Sequence, residues 1–295
     1  MNKKIRLQKN IHSLSGKTVA VSGATGGLGQ PLCLYLAELG ASLILLDRNT
    51  EKSLALATRL KEQVPSLSVT HIRVDLEEMD TVRDAATALE SLDLDYLILN
   101  AGAYSIPRRT CNTGFDNVFQ INFVSPYYLA KRLLPSIQAH GGKVIAVGSI
   151  AHNYSRTDPS DVDFSTREKA SLVYGNAKRH LMASLSALGE TVSIVHPGIT
   201  FTNITAHYPP LLFALIKHPM KVIFMSPKKA SLCILAGIFE DCQKDEWIGP
   251  RWFGIWGLPR KKRLTTIREE EAEAICQRAE EIMRRMEKQS RSPKK

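Results

Sequence analysis

Between residues 18 and 196 the chain alternates short apolar runs, rich in Val, Ile and Leu, with longer stretches whose apolar residues recur at helical spacing. The runs fall at 18–22, 42–46, 69–74, 96–99, 143–147 and 192–196. Most are continuously apolar rather than alternating, the pattern of strands covered on both faces, as in a parallel sheet between two helix layers. The intervening stretches, at 28–39, 51–63, 79–89, 115–139 and 169–188, stand where crossover helices are required, and 227–241 extends the series. The expected fold is α/β, a doubly wound parallel sheet with helices on both faces.

The rhythm breaks after His196. Residues 200–226 mix Pro209, Pro210 and Pro219 with Leu, Phe and Ile, which predicts a loop or short helices. Further on, Ile267, Ala274, Ile275, Ala279, Ile282, Met283 and Met286 recur at spacings of three, four and seven, predicting an amphipathic helix over about 265–288. Its apolar stripe must bury against the core, a second subunit or a membrane surface. The expected organisation is a basic tail at 1–14, one dinucleotide-binding domain at 15–257 with a substrate loop at about 200–226, and a basic amphipathic helix and tail at 258–295.

Charge changes this picture little. The net charge of +10 sits mainly at the ends: residues 1–10 carry +4 and residues from 258 onward carry +5, so the body is nearly neutral. That distribution argues against a nucleic-acid footprint and leaves a peripheral membrane contact through the basic ends as an alternative. Five cysteines, with no C-x-x-C pair, suggest neither a disulfide framework nor a zinc site; no metal is expected, and a reducing, cytoplasmic setting fits. The start has no apolar signal-peptide core, and the apolar stretch 211–225 is broken by Lys217, His218, Pro219 and Lys221, too short for the ~20 apolar residues of a span.

The chemistry begins where the first strand runs into Ser22-Gly23-Ala24-Thr25-Gly26-Gly27-Leu28-Gly29 and a helix follows. Glycines there let backbone N–H groups and the positive helix end approach a pyrophosphate. The spacing G-x-x-x-G-x-G resembles that of the short-chain dehydrogenase/reductase family. Other motifs appear in the family's order: Asp75-Leu76 after the third strand, Asn100-Ala101-Gly102 after the fourth, Ser149 after the fifth, Tyr174-Gly175-Asn176-Ala177-Lys178, and Pro197-Gly198 with Thr202 after the sixth. The resemblance implies a Rossmann-type fold and a homo-oligomer. It also implies NAD or NADP held by Gly23, Thr25, Gly27, Leu28, Gly29, Asp47, Arg48, Asp75, Leu76, Asn100, Ala101, Gly102, Tyr174, Lys178, Pro197, Gly198 and Thr202.

It implies a catalytic set as well. Tyr174 and Lys178 are spaced to share a helix face, where an ammonium would favour phenolate and pull the phenol below its usual pKa of about 10. Tyr174 is then the general acid/base, and Ser149, 25 residues earlier, holds the substrate oxygen. Asn122 matches the family's fourth member: Pro126 has no N–H for the Asn122 carbonyl, which is freed for a water of the proton relay. His152 is a candidate substrate contact, though a loop histidine is more often a surface group; it stays outside the set.

The segments Gly114-Phe115-Asp116, Val147-Gly148-Ser149-Ile150-Ala151-His152 and Val195-His196-Pro197-Gly198 look most like the retinol-dehydrogenase branch. Two features depart from the family. Ser22 stands where threonine is commoner, and Trp247-Ile248-Gly249-Pro250 replaces the usual glycine-rich ending, which leaves the seventh strand and nearby dimer contacts open. Asp47, closing the second strand, would accept the ribose 2′-hydroxyl of NAD and repel a 2′-phosphate, whereas Arg48 beside it would pair that phosphate; the carboxylate favours NAD. The expected function is hydride transfer between the coenzyme and a lipophilic or small alcohol or carbonyl. The alternatives are a dinucleotide sensor without turnover, expected to lack Tyr or Lys, and a basic-tailed membrane-surface binder.

Overall fold

A computed structural model describes residues 11–200 and 225–290. Thr202, most of the 200–226 segment and the first ten residues of the basic tail lie outside that range. Strands β1 (Thr18–Ser22), β2 (Ser42–Asp47), β3 (Val69–Arg73), β4 (Tyr96–Leu99), β5 (Lys143–Val147), β6 (Val192–Val195), β7 (Glu246–Trp252) and β8 (Trp256–Arg263) form one sheet. Their order is β3-β2-β1-β4-β5-β6-β7-β8; β1 to β7 run parallel and β8 closes antiparallel on β7.

Successive residues of a strand point to opposite faces, and here both faces are covered. Val19, Val21, Leu43 and Leu45 join one core with α1 (Gly29–Glu38), α2 (Thr50–Gln63) and α7 (Pro227–Phe239). Ala20, Ile44, Leu97 and Leu99 join the other, with α3 (Met79–Glu90), α5 (Ser125–Ala139), α6 (Ala170–Ser186) and α8 (Glu269–Ser290). Two cores are why the strands read as unbroken apolar runs.

The long helix expected at 115–139 is broken into parts. Asp116 caps its start by accepting from the N–H groups of Val118 and Phe119, and α4 (Asn117–Phe119) passes through a π turn, Gln120–Val124, into α5. The Ser125 N–H reaches five residues back to the Gln120 carbonyl, and Pro126 next to it has no N–H to give.

Beyond 241 the structure adds what periodicity did not reveal. Trp247-Ile248-Gly249-Pro250 does form the seventh strand, joined to β6 through Val195 and Ile248, with the His196 N–H donating to the Ile248 carbonyl at 2.7 Å. The following strand, β8, spans positions 257 and 258, so the basic segment begins inside the sheet. The C-terminal helix settles on the core: Ile275, Ala279, Ile282, Met283 and Met286 are buried with residues of α5 and α6. Burial of each large side chain contributes about 1.5–3 kcal/mol. Ala274 points outward, and Ala272 takes the partly buried place on the stripe.

Candidate active site

The glycine turn is built by cross-links between the ends of β1 and β4. The Ser22 hydroxyl accepts from the backbone N–H groups of Asn100 (3.0 Å) and Ala101 (3.1 Å), so the serine keeps the function a threonine would have. In return the Asn100 side-chain amide donates to the Ser22 and Gly23 carbonyls, both at 3.0 Å. Gly23 turns at φ +64°, and α1 begins after Leu28 with no side chain capping its N–H groups. A Cβ at Gly29 would lie 2.2 Å from the Gly23 carbonyl oxygen and 2.6 Å from that of Ala24. Gly29→Ala should therefore deform the turn, lowering dinucleotide affinity at least about tenfold with a fall in Tm; titration calorimetry and thermal unfolding would measure both.

Over this turn opens a cleft of about 560 Å³ at the carboxyl ends of β1 to β4. Gly23, Thr25, Gly27, Leu28, Asp47, Arg48, Asp75, Leu76, Asn100, Ala101 and Gly102 line it. Volume, uncapped helix end and glycine cradle suit a dinucleotide, and the Asn100 Oδ1 is a buried acceptor with no partner among the described residues. Among those residues no group of three or more His, Cys, Asp or Glu could hold a metal ion.

Asp47 does not present a free carboxylate to the cleft. Its Oδ1 accepts from the Thr25 N–H (3.2 Å) and hydroxyl (2.9 Å), and its Oδ2 accepts from the Ser53 hydroxyl (3.0 Å). Burial raises its pKa, and these hydrogen bonds hold it back. Arg48 and Lys52 are exposed beside it on the cleft wall.

At the inner end of the site, Ser149 follows β5 and its hydroxyl accepts from the Ala151 N–H. Tyr174 and Lys178 lie one turn apart on α6, with the Tyr174 ring edge-on to Tyr104 at 5.4 Å. The expected depression of the phenol is reversed. Burial pushes Tyr174 up to about 12, although a hydrogen bond with the Ser149 hydroxyl offsets part of the rise. Burial likewise pushes Lys178 down to about 7. The reason is geometric: the Lys178 Nζ donates to the Val147 carbonyl at 2.8 Å and stands 5.7 Å from the Tyr174 ring centroid. Desolvation, acting on both groups, outweighs their attraction.

Asn122, in the π turn, clamps the strand β4 loop: its amide donates to the carbonyls of Ala103 and Val118, both at 2.8 Å, and its Oδ1 accepts from the Ala103 N–H. Gly102 fits against this clamp, since a Cβ there would lie 2.8 Å from the Asn122 Oδ1 and 3.6 Å from the Lys178 Nζ. Asn122, Gly102 and Lys178 thus converge. Gly198 turns at φ +89° against the β7–β8 hairpin, 3.0 Å from the Ile255 carbonyl oxygen as measured from its ideal Cβ.

His152 was weighed in the sequence as a substrate contact or a surface group, and Arg179 was not singled out there. His152 is buried, not a surface group: its Nδ1 lies 2.6 Å from the Ser149 carbonyl oxygen. Because a carbonyl only accepts, Nδ1 carries the proton, and burial holds the ring below its usual pKa. Arg179, 3% exposed, donates to the carbonyls of His152 (2.9 Å) and Thr266 (2.6 Å) and grips the Glu271 carboxylate with two nitrogens. No spacing in the sequence marks Arg179, which stands between Lys178 and His180.

A profile of the short chain dehydrogenase family matches residues 17–210. The chain belongs to that family. This short-chain dehydrogenase/reductase is 29% identical over 230 residues to retinol dehydrogenase 13 of Homo sapiens, covering 70% of each chain. It is 30% identical over 233 residues to dehydrogenase/reductase SDR family member 13 of Bos taurus, covering 75% of this chain and 61% of the relative. Relatives named retinol dehydrogenases 12 and 14 also place it in the retinol-dehydrogenase-like branch of NAD(P)-dependent dehydrogenases and reductases. Among solved structures, an uncharacterised Mycobacterium paratuberculosis protein superposes with TM-score 0.73 at 23% identity, over 93% of this chain and 96% of that one. The Pseudomonas aeruginosa RhlG/NADP complex superposes with TM-score 0.59 at 25% identity, over 78% and 93%.

Proposed function

We propose that this chain reduces or oxidises a lipophilic alcohol/carbonyl pair, with Tyr174 as the proton-transferring group. The observation carrying this reading is the placement of Tyr174 one turn from the buried Lys178 on α6, with the Lys178 Nζ 3.6 Å from an ideal Cβ on Gly102, a residue that lines the dinucleotide-sized cleft. A nicotinamide dinucleotide supplies or accepts the hydride. Ser149 holds the substrate oxygen next to the phenol, and neutral His152 keeps the Ser149 backbone in place through the 2.6 Å contact. Tyr174, with a pKa near 12, is protonated at neutral pH and ready to give its proton to a carbonyl oxygen as hydride arrives. Lys178 anchors the inner wall through Val147, and Asn122 holds Gly102 and Ala103 against it. Pro197, Gly198 and Thr202 belong to the nicotinamide side of this reading by resemblance. Relatives carry names such as retinol dehydrogenase and polyprenol dehydrogenase, which supports an apolar substrate. The test is a coenzyme-coupled absorbance screen over alcohols and carbonyls of graded chain length; absence of turnover across the series with coenzyme bound would favour a dinucleotide sensor.

The coenzyme in this proposal is NADP(H). Asp47 spends three acceptor positions on Thr25 and Ser53, so it serves to brace the turn, while Arg48 and Lys52 put positive charge where a 2′-phosphate would lie. Arg48→Ala should weaken NADPH binding about 10–100-fold and leave NADH within about twofold, as expected for loss of a charge-assisted contact. Dissociation constants from fluorescence quenching by each coenzyme decide it; equal losses for both would refute the phosphate contact.

A further inference from the structure

We propose that the β7–β8 hairpin docks this protein onto an anionic bilayer surface. Trp252 (55% exposed), Phe253 (83%), Trp256 (40%) and Leu258 (56%) cluster at its turn, whereas Leu54, Leu92 and Tyr154 are the other exposed large apolar side chains among the described residues. Phe253 holds a left-handed backbone (φ +50°) that bulky residues seldom adopt, and gains no burial from it. The Arg251 guanidinium lies 5.2 Å over the Trp252 ring, and Arg260, Lys261, Lys262 and Arg263 follow along β8. Glu246 is the single acidic residue in the hairpin.

Aromatic side chains at a tip, with Arg260, Lys261, Lys262 and Arg263 set back from it, match the order of a bilayer interface, where rings sit at headgroup depth and Lys and Arg meet lipid phosphates. Self-association through the β8 edge fits poorly. Antiparallel pairing of two such edges would bring cationic strands together, and Pro259 and the charges are features that blunt an edge. Nucleic acid also fits less well, because stacking platforms interleave rings with cations throughout, whereas here Arg251 alone stands among the exposed rings and the other cations lie further along β8.

The hairpin turn adjoins the candidate site. The Gly254 carbonyl accepts from the His196 Nε2 at 3.1 Å, and an ideal Cβ on Gly254 lies 3.2 Å from Ile150, the residue after Ser149. Docking therefore sets the inner site close to the bilayer, whatever reaction occurs there.

The experiment exploits the placement of all three tryptophans, Trp247, Trp252 and Trp256, in this hairpin. The full chain is mixed with phosphatidylcholine vesicles with or without phosphatidylserine, and with vesicles carrying brominated acyl chains. Expected are flotation with the anionic vesicles alone, loss of it at high salt, and quenching of tryptophan emission by bromine. Trp252→Ser/Phe253→Ser should lower the floated fraction about tenfold with Tm unchanged, because both side chains are exposed. Arg260→Glu/Lys261→Glu should do the same. Flotation without quenching, or undiminished in the Trp252→Ser/Phe253→Ser variant, would assign binding to the basic ends and overturn the proposal. So would a dimer dispersed by those substitutions, or retention on single-stranded DNA without vesicle binding.

Discussion

Tyr174→Phe is expected to lower kcat about 10²–10⁴-fold on any substrate found for this protein, while the dissociation constant of the coenzyme stays within about twofold. The ring keeps its edge-on contact with Tyr104, and only the transferable proton and its hydrogen bond with Ser149 are lost. The pH dependence carries the sign. With the phenol held near 12, carbonyl reduction needs the protonated form and should be insensitive to Tyr174 ionisation across neutral pH. Alcohol oxidation needs the phenolate, so its rate should climb with pH through the same range. Steady-state rates in both directions, measured against pH in wild type and variant, provide the check. A variant with wild-type turnover would sink the assignment.

The second large effect is structural. Arg179→Ala should destabilise the fold by about 3–5 kcal/mol, the usual consequence of leaving one partner of a buried ion pair alone. Here the loss also orphans the carbonyls of His152 and Thr266. Arg179→Lys should recover little of it, since an ammonium cannot reproduce the two-nitrogen grip on Glu271. Urea unfolding midpoints would measure both. The hydrogen bonds from Arg179 hold Glu271 below its ordinary 4.5, so its contribution is complete above that value and is lost as pH falls through the lowered folded value. Glu271→Gln should therefore flatten the acid limb of the stability curve; an unchanged limb would mean another carboxylate dominates it.

The parallel core of this protein was readable because two-sided burial leaves an unmistakable mark: Val19, Ala20 and Val21 are all apolar although they face different layers. The glycine turn was equally plain, and Ser149, Tyr174 and Lys178 stood out as candidates through their spacing along the chain. What stayed hidden depends on contacts between distant residues. Half of strand β8 is charged and most of its residues are exposed, so no apolar period announces it. Tyr174 and Lys178 were rightly placed on one helix face, yet their ionisation is governed by burial and by the Val147 carbonyl, which spacing does not encode. Asp47 was visible as an acidic residue after β2; its engagement with Thr25 and Ser53 was not.

The grip of Arg179 on Glu271 joins residues 92 positions apart, and the same guanidinium steadies the segment behind Ser149. A ribosome must therefore have passed residue 271 before that segment is locked. Nascent protein lacking α8 would hold the glycine turn, β1 to β8 and Tyr174, yet offer translation-coupled chaperones a bare apolar strip where Ile275, Ala279, Ile282 and Met286 later seat. Order at the candidate site thus waits on the synthesis of α8, and a stop before residue 271 would leave the glycine turn without the contact that steadies the segment behind Ser149.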